Sequence, residues 1–182
     1  MNYASLPPFG PDNAIHVVVE SPRGSPVKLK YDPTLEAFTL SRPLPEGLVY
    51  PYDWGFVPST LASDGDPLDA LVVWDRASFP GVVLTCRLIG VLAVEQNSKR
   101  QPGRREQNQR LIALPVEAPR HAIKSVDDLP ARVKEEIESF FTASTAFEKK
   151  DLRFGGWSGV RAAYNLVKKS AKSARQPSRS RK

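Results

Sequence analysis

The feature that most constrains the fold is a series of short apolar stretches, broken by Pro and Gly, between residues 15 and 115. Each stretch is rich in β-branched and aliphatic residues and ends at turn-forming residues, as short strands do. The stretches cover residues 15–19, 27–31, 71–73, 82–94 and 111–114. This spacing predicts a small β-barrel. A basic run at residues 99–110 interrupts two of the strands and is predicted to form an exposed hairpin loop.

Helical patterns occur only in the C-terminal part of the chain. Ser125 and Asp128 resemble a capping box, and Pro130 follows at a position that the first turn of a helix tolerates. The apolar residues that then recur on one helical face are Leu129, Val133, Ile137, Phe140 and Phe141. A second helix is predicted from Ser158 to about Lys169, and its apolar stripe is Val160, Ala163, Tyr164 and Val167. The sequence therefore predicts a mainly β fold with two helices.

The chain has 182 residues and a formal net charge of +6, but most of that charge lies at its C-terminus. The last fifteen residues contain seven cations and no acid, which leaves 19 basic against 20 acidic residues elsewhere. A basic, Ser-rich segment with little apolar content is typical of disorder. We therefore expect an N-terminal extension (1–14), a folded domain (15–168) and a basic disordered tail (169–182). The tail either only aids solubility or makes a weak contact with a polyanion.

The composition excludes several classes of protein. Hydrophobic residues make up 41% and charged residues 25% of the chain, as in ordinary soluble domains. No apolar run approaches the roughly 20 residues of a membrane-spanning helix, and the first residues lack the pattern of a secretion signal. Cys86 is the one cysteine and cannot form an internal disulfide, and no zinc-binding spacing is present. We expect a protein of the reducing cytoplasm without a membrane partner.

Three aspartates crowd into one short turn, the segment DGDPLD. Asp64, Asp66 and Asp69 surround Gly65 and Pro67, and carboxylates this close raise one another's pKa unless a cation lies among them. Oxygen ligands without His or Cys favour Mg²⁺, Mn²⁺ or Ca²⁺, and Mg²⁺ in particular also keeps waters and phosphate oxygens as ligands. The alternative is an ordinary solvated turn, which this composition also fits.

A further carboxylate and two cations precede this turn. Glu20 ends an apolar strand, Lys28 follows a Gly-Ser-Pro turn, and Arg42 is next to Pro43. Carboxylates that hold metals and cations that bind phosphate oxygens are the two components of metal-assisted phosphoryl transfer. The context therefore favours a metal site over a solvated turn.

The segment YPYDWGFVPSTLASDGDPLD, residues 50–69, carries the most specific pattern in the chain. YPYDWGF resembles the YPxNYGF segment of the soluble family I inorganic pyrophosphatases, and DGDPLDALV resembles their DGDPLDVLV signature. The stretch VVVESPRGSPVK is similar to the family's ExPxGxxxK strand, and the likeness continues in order through IGVLAV, LIALP, DDLP and FF to a Gly-Trp pair. It covers roughly residues 15–168. This resemblance implies pyrophosphate hydrolysis by an OB-like five-stranded closed barrel with two flanking α-helices.

The resemblance also implies roles for individual residues. Asp64 and Asp69 would be ligands of the tighter-bound metal, and Asp69 would be shared with a second one. Asp66, also at the metals, would take a proton from the water that bridges them, since two cations lower the pKa of that water. Lys28 and Arg42 would neutralise phosphate oxygens, Arg42 as a bidentate fork and Lys28 as a point charge.

Five further positions receive weaker assignments from the resemblance. Glu20 would hold a substrate-associated metal through water. Tyr50 matches the first tyrosine of the substrate site, although a core aromatic is an equally good interpretation. Trp54 stands at the second tyrosine and can donate but not accept a hydrogen bond. Asn108 retains one oxygen of a metal-binding Asp, and Arg110 retains the positive charge of a substrate-binding Lys.

Several family positions are changed in a way that alters the charge of the site. Lys30 stands where the family has an acid, and Gln96 and Asn108 stand where it has aspartates. Ser144 and Thr145 replace a Tyr-Lys pair, so that one phosphate clamp is missing. The site is about three charges more positive than in its relatives, which favours anions and weakens binding of metals beyond the first pair. The acids that could compensate by a loop shift are Glu95 and Glu106.

Two functions from different classes remain open. The first is a hydrolase that cleaves pyrophosphate or a related phosphoanhydride with Mg²⁺, or Mn²⁺ or Zn²⁺ as substitutes, at a reduced or altered rate. The second is a pyrophosphatase-fold protein without turnover that binds a phosphate ligand or a polyanion. The intact aspartate turn with Lys28 and Arg42 favours the hydrolase. The resemblance also implies a homo-oligomer, a hexamer.

Overall fold

The fold is described from a computed structural model, which describes residues 2–98, 101–118 and 122–175. The first two residues of the basic run, Lys99 and Arg100, and residues 176–182 of the predicted tail lie outside this part. No helix in the described ranges is long and apolar enough to cross a membrane.

The described part of the chain contains nine strands and two α-helices. The strands are β1 (Ile15–Ser21), β2 (Val27–Asp32), β3 (Ala37–Pro43), β4 (Asp53–Val57), β5 (Leu68–Val72), β6 (Val83–Asn97), β7 (Arg105–Gln107), β8 (Arg110–Pro115) and β9 (Arg153–Gly159). The helices are α1 (Ala131–Ser144) and α2 (Val160–Arg175). Short 3₁₀ turns lie at Tyr3–Ser5, Pro11–Asn13 and Val126–Asp128.

Five of these strands close into a ring. Each of β1, β4, β5, β8 and β6 is hydrogen-bonded to the next, and β6 returns to β1 through the pairs Ile15–Cys86 to Val18–Val83. The 15-residue strand β6 is long enough to pair also with β7 and β9 outside the ring, while β2 and β3 form a separate hairpin. The ring confirms the expected five-stranded closed barrel.

The two helices cover different apolar faces of the barrel strands. Alternation along β5 places Leu71 in a cluster with Phe140 and Phe141 of α1, whereas Val72 joins a cluster with Ala163 and Val167 of α2. Because both faces of β5 and β8 are buried, these strands appear in the sequence as continuous apolar runs. The two clusters therefore pack α1 and α2 against opposite faces of β5.

The helices differ from the sequence prediction at their ends. The capping box of Ser125 and Asp128 is present, but it caps the 3₁₀ turn, and α1 begins only at Ala131. The prediction that the second helix ends near Lys169 was wrong, because α2 continues to Arg175. Ser170 and Ala171 are buried, so the last turns pack on the barrel, and the first seven residues of the predicted disordered tail are helical.

The folded part of the chain also extends beyond the predicted N-terminal boundary. Among residues 2–14 of the predicted extension, Tyr3 stacks edge-on against Tyr31 and Phe38, and Ala14 is buried. Phe9 forms an isolated bridge with Ile15. The described N-terminal residues therefore pack against the barrel and the β2–β3 hairpin.

Gly90 lies in β6 between the neighbouring strands β8 and β9, and a substitution there tests how closely this part of the sheet is packed. A Cβ at Gly90 would lie 2.5 Å from the Ser158 carbonyl oxygen and 2.5 Å from Val126 Cγ1. We expect Gly90→Ala to lower the free energy of unfolding by about 3 kcal/mol, because backbone must move to accept the methyl group. Urea unfolding followed by circular dichroism measures this change.

The strand partner of this glycine provides the control. Gly159 lies opposite Gly90 in the β6–β9 ladder, but a Cβ there would meet Ser125 Oγ at 3.6 Å, an ordinary contact distance. Gly159→Ala is therefore expected to cost under about 1 kcal/mol. Equal losses for the two variants would show that the close approach at Gly90 does not limit stability.

Candidate active site

A cavity of about 340 Å³ opens beside the barrel, between the β2–β3 hairpin and the aspartate turn. Its described lining contains four carboxylates and four cations. The carboxylates are Glu20, Asp64, Asp66 and Asp69, and the cations are Lys28, Lys30, Arg110 and Lys150. The charges balance in number, so the cavity combines ligands for cations with ligands for anions.

The aspartate turn leads from residue 61 into β5 and fixes three carboxylates at the cavity. The Asp66 backbone N–H donates to Asp64 Oδ1 at 3.1 Å, and its carbonyl accepts from the Ala62 N–H at 2.8 Å. Gly65 has a φ of +85°, a left-handed conformation that glycine adopts without strain. Burial raises the pKa of Asp64, and the charges of Asp69 and Asp66 raise it further. The mutual repulsion expected from the sequence is therefore present at Asp64.

Strand register brings Arg110 onto Asp69. The first residue of β8 lies opposite Asp69 in the parallel β5–β8 ladder, and Arg110 Nη1 donates to both Asp69 Oδ2 and Asn108 Oδ1. The Arg110 side chain is only 7% exposed, and its guanidinium lies 5.1 Å from the Trp54 ring centroid. Arg110 was predicted within the exposed basic loop, and this was wrong, because it begins a buried barrel strand.

A second ion pair joins the hairpin to the aspartate turn. Lys30 Nζ lies 3.0 Å from Asp66 Oδ1, and both side chains are about half exposed. Burial opposes the charge on Lys30, but the hydrogen bond and the charge of Asp66 outweigh it and raise the pKa of Lys30. The residue that replaces a family acid thus contacts the carboxylate that was predicted to be catalytic.

Glu20 lies deeper in the cavity, near the end of β1. It is 6% exposed, and its Oε1 accepts the Tyr31 backbone N–H at 2.8 Å. Burial raises the pKa of Glu20 to about 7, the Tyr31 hydrogen bond opposes this shift, and the charge of Asp69 adds to it. A buried carboxylate beside other carboxylates is a strong ligand for a cation.

Lys28 and Arg42 are cross-strand partners in the β2–β3 hairpin. Lys28 lines the cavity, and burial lowers its pKa while the charge of Asp69 opposes this effect. Arg42 lies outside the lining, where its Nη2 is 2.7 Å from Glu148 Oε1. Both cations are therefore close to the cavity, but only Lys28 faces it directly.

The two aromatic residues predicted to bind substrate lie beneath the cavity. Tyr50 is 4% and Trp54 is 3% exposed, and both belong to the core cluster that includes Phe140 and Phe141. Burial raises the pKa of Tyr50, whose hydroxyl bonds to Ser21. The arrangement matches the alternative interpretation of Tyr50 as a core aromatic. Trp54 supports Arg110 through its ring face.

The other altered positions also differ in their access to the cavity. Asn108 lines it, but its side-chain oxygen accepts from Arg110. Gln96 is buried, and its Nε2 donates to Glu106 at 3.3 Å, away from the lining. Glu95 pairs with Arg105 at 3.5 Å and accepts from Gln107, so neither Glu95 nor Glu106 compensates at the cavity in this conformation.

The sequence analysis did not identify Lys150 and Glu148 as residues of the site. It also did not identify the structural role of Asp53. Lys150 lines the cavity, and Glu148 links it to Arg42. These residues lie in an irregular segment after α1, where no periodic pattern singles them out. Asp53, inside YPYDWGF, is fully buried and accepts hydrogen bonds from Arg23 N, Trp74 Nε1 and Ser78, so it fastens loops rather than facing the site.

The donor set fits a divalent cation in its chemistry. Its carboxylate oxygens are the ligands that Mg²⁺ and Mn²⁺ prefer, and burial together with the neighbouring carboxylates raises the pKa of Asp64. Within the described ranges, however, no three Asp, Glu, His or Cys side chains lie close enough together to hold one ion. Lys30 contacts Asp66 and Arg110 contacts Asp69, so an ion at this turn must displace or share these contacts.

A closed barrel whose cavity joins carboxylates to cations has the components of a metal-dependent phosphoryl-transfer site. The chain belongs to the inorganic pyrophosphatase family, whose sequence model matches residues 17–175. It is 36% identical over 173 residues to the inorganic pyrophosphatase of a Synechocystis species, covering 94% of this chain and 98% of that protein. It is 40% identical over 158 residues to that of Thermus thermophilus, covering 85% and 86%.

Solved structures agree with the sequence relatives. The crystal structure of the Thermus thermophilus inorganic pyrophosphatase superposes with a TM-score of 0.88 at 37% identity, covering 97% of this chain and 100% of that one. That of Helicobacter pylori gives 0.85 at 33% identity, covering 94% and 99%. The family resemblance found in the sequence is confirmed, and so is the barrel fold.

Proposed function

We propose that this protein hydrolyses inorganic pyrophosphate to two phosphates with the help of bound divalent cations, Mg²⁺ first among them. The observation that carries the proposal is the cavity itself, where Asp64, Asp66 and Asp69 face Lys28 and other cations. Membership of the inorganic pyrophosphatase family supports the same reaction.

The carboxylates at the turn would hold the cations. Asp64 and Asp69 provide oxygens before and at the start of β5, and Glu20 provides a buried oxygen in the same cavity. Asn108 contributes a neutral oxygen that Arg110 already engages. Divalent ions bound there would neutralise phosphate charge and lower the pKa of water to the range in which a carboxylate can accept its proton.

The chain's own residues would bind the substrate and accept the proton. Lys28 binds a phosphate oxygen, and Arg42 and Arg110 add positive charge around the substrate. Asp66 accepts a proton at its carboxylate oxygen as water attacks one phosphorus atom. One O–P bond forms, the bridging P–O bond breaks, and the leaving phosphate carries away the pair of electrons.

The alternative function, binding of a phosphate ligand without turnover, is not favoured. The carboxylates that the resemblance assigns to the first pair of metals all line the cavity, and so does Lys28. The changes at Lys30, Gln96 and Asn108 reduce negative charge, which weakens metal binding but leaves the attacking water its proton acceptor. A hydrolase with a raised requirement for metal is the better description.

The experiment that tests the reaction is release of phosphate from pyrophosphate by the purified full chain. We expect release with millimolar Mg²⁺, and to a different extent with Mn²⁺ or Zn²⁺, and its loss when a chelator exceeds the metal. Absence of release with each of the three metals, from a protein with a folded circular dichroism spectrum, would reject the proposed function.

We also propose that the chain forms a homo-oligomer, a hexamer by family resemblance, in the cytoplasm. Large apolar side chains on the described surface support an assembly: Leu35, Leu40, Phe79 and Phe147 are between 64% and 89% exposed. Cys86 is a free, buried cysteine, as a reducing compartment permits. Light scattering of the purified protein measures its mass in solution.

Polyanion binding through the basic tail stays a prediction, since residues 176–182 lie outside the described ranges.

A further inference from the structure

The phosphate clamp that the sequence lacks at Ser144 and Thr145 is not restored by those residues. Ser144 Oγ donates to the Phe141 carbonyl at 3.0 Å, and Thr145 Oγ1 donates to the same carbonyl at 3.0 Å. Both hydroxyls therefore serve the last turn of α1, and neither residue lines the cavity. A cation from elsewhere has to fill that role if the cavity is to hold a pyrophosphate with its several negative charges.

Lys150, five residues further on, is in the right place. It lines the cavity together with Lys28, Asp69 and Arg110, and its side chain is only 12% exposed. The end of β6 fixes its backbone, because the Asn97 N–H donates to the Lys150 carbonyl at 2.6 Å and Asn97 Nδ2 donates to the Lys149 carbonyl at 3.1 Å. The next lysine along the chain, Lys149, is exposed.

Glu148 joins Lys150 to a cation already assigned to phosphate. Its Oε2 lies 3.0 Å from Lys150 Nζ, and its Oε1 lies 2.7 Å from Arg42 Nη2. Burial alone would raise the pKa of Glu148, but the hydrogen bond from Lys150 and the charges of Lys150, Arg42 and Lys28 hold it below its ordinary value. Glu148 thus pairs with Lys150 and Arg42 and also experiences the charge of Lys28.

The charge network around Glu148 is better suited to binding an anion than to stabilising the fold. A largely buried ion-pair network contributes little net stability, since desolvation of the charges offsets their attraction. Lys150 and Arg42 share the carboxylate of Glu148, and a phosphate group can add charge-assisted hydrogen bonds to them. The same cavity is lined by the aspartates, so one phosphate anion can contact both metals held by them and the lysines of the lining.

We propose that Lys150 binds a phosphate group of the substrate and product, and that it replaces the clamp missing at Thr145. This inference rests on the proposed function, because it assigns Lys150 to the same cavity and ligand class. Lys150 acts through its own charge, without covalent chemistry. Glu148 holds the ammonium group of Lys150 beside Arg42.

The test is titration calorimetry of inorganic phosphate into the full-length protein with millimolar Mg²⁺. Lys150→Met preserves the length of the side chain without its charge, and we expect it to weaken phosphate binding by about 10- to 100-fold, as loss of a charged hydrogen bond does. Lys149→Met makes the same charge change on an exposed neighbour and is expected to bind within about twofold of the unchanged protein. Lys150→Arg is expected to recover most of the affinity.

Each outcome decides the proposal. Unchanged affinity in Lys150→Met, an equal loss in Lys149→Met, or no phosphate binding by the unchanged protein would overturn it. If circular dichroism reveals that Lys150→Met does not fold, Lys150→Gln is judged by the same criteria. Because the readout is binding of phosphate, a protein that fails to hydrolyse pyrophosphate but shows the expected loss would reject the proposed reaction and leave Lys150 as a phosphate ligand.

Discussion

Asp66→Asn is expected to lower kcat for pyrophosphate hydrolysis by about a hundredfold or more, the usual effect of removing a general base. The amide keeps the size of the side chain and can still accept a hydrogen bond from Lys30, but it cannot take up a proton from the attacking water. The Asp66 backbone contacts with Asp64 and Ala62 do not involve the altered group, so the turn is preserved. Initial rates of phosphate release at saturating substrate measure the change.

An increase in Mg²⁺ separates the loss of a base from the loss of a metal ligand. If Asp66 acts as the base, raising Mg²⁺ tenfold will not restore kcat. Asp75→Asn serves as the matched control, since Asp75 is exposed and outside the cavity lining, and it is expected to keep the full rate. Retention of more than about a third of kcat by Asp66→Asn would exclude a role for this carboxylate in proton transfer.

The barrel could be predicted where its strands are buried on both faces. Strands β5, β6 and β8 contain continuous apolar runs that local sequence reasoning recognises. It failed at β3 and β9, because their residues are mostly half-buried or exposed and β9 contains adjacent glycines. In β4 the run DWGFV mixes a buried Asp and a Gly among aromatics, so its burial depends on partners far away in the sequence.

The site could be predicted only where its members are close in sequence. The aspartate turn is local, and three carboxylates in six residues are visible without a structure. Asp69 and Arg110 are 41 residues apart in the sequence, and their contact follows from the parallel register of β5 with β8. No local sequence pattern encodes this register. The contact of Lys30 with Asp66 could not be predicted either, because these residues are 36 positions apart in the sequence.

These two contacts change how the altered charges are understood. Counting charges along the sequence predicted weaker binding of metals beyond the first pair, because each lost carboxylate removes a ligand and an attractive charge. In the folded chain, Arg110 and Lys30 each lie on a carboxylate that was assigned to metal, so the turn is neutralised internally. Arg110 is a buried strand residue supported by Trp54 and cannot leave easily, whereas Lys30 is half exposed and can swing into solvent. Lys30 is therefore the cation that an incoming metal would displace.

Lys30→Glu is accordingly expected to tighten Mg²⁺ binding by at least about tenfold. The substitution removes one positive charge next to Asp66 and adds one negative charge, and at about 4 Å each pair of unit charges is worth about 1 kcal/mol even in water. Titration calorimetry of Mg²⁺ into the protein without pyrophosphate measures the affinity independently of turnover. Lys30→Gln, which removes only the positive charge, should give an intermediate affinity.

The control for overall charge is Lys172→Glu, which makes the same change of two units on an exposed position of α2 outside the cavity lining. It is expected to shift Mg²⁺ affinity by less than about twofold, and a rise in salt should screen that small effect completely. If Lys30→Glu binds Mg²⁺ no better than the unchanged chain, or no better than Lys172→Glu, then Lys30 does not compete with the metal. The raised positive charge of the site would then act on the phosphate side alone, through Lys28 and Lys150.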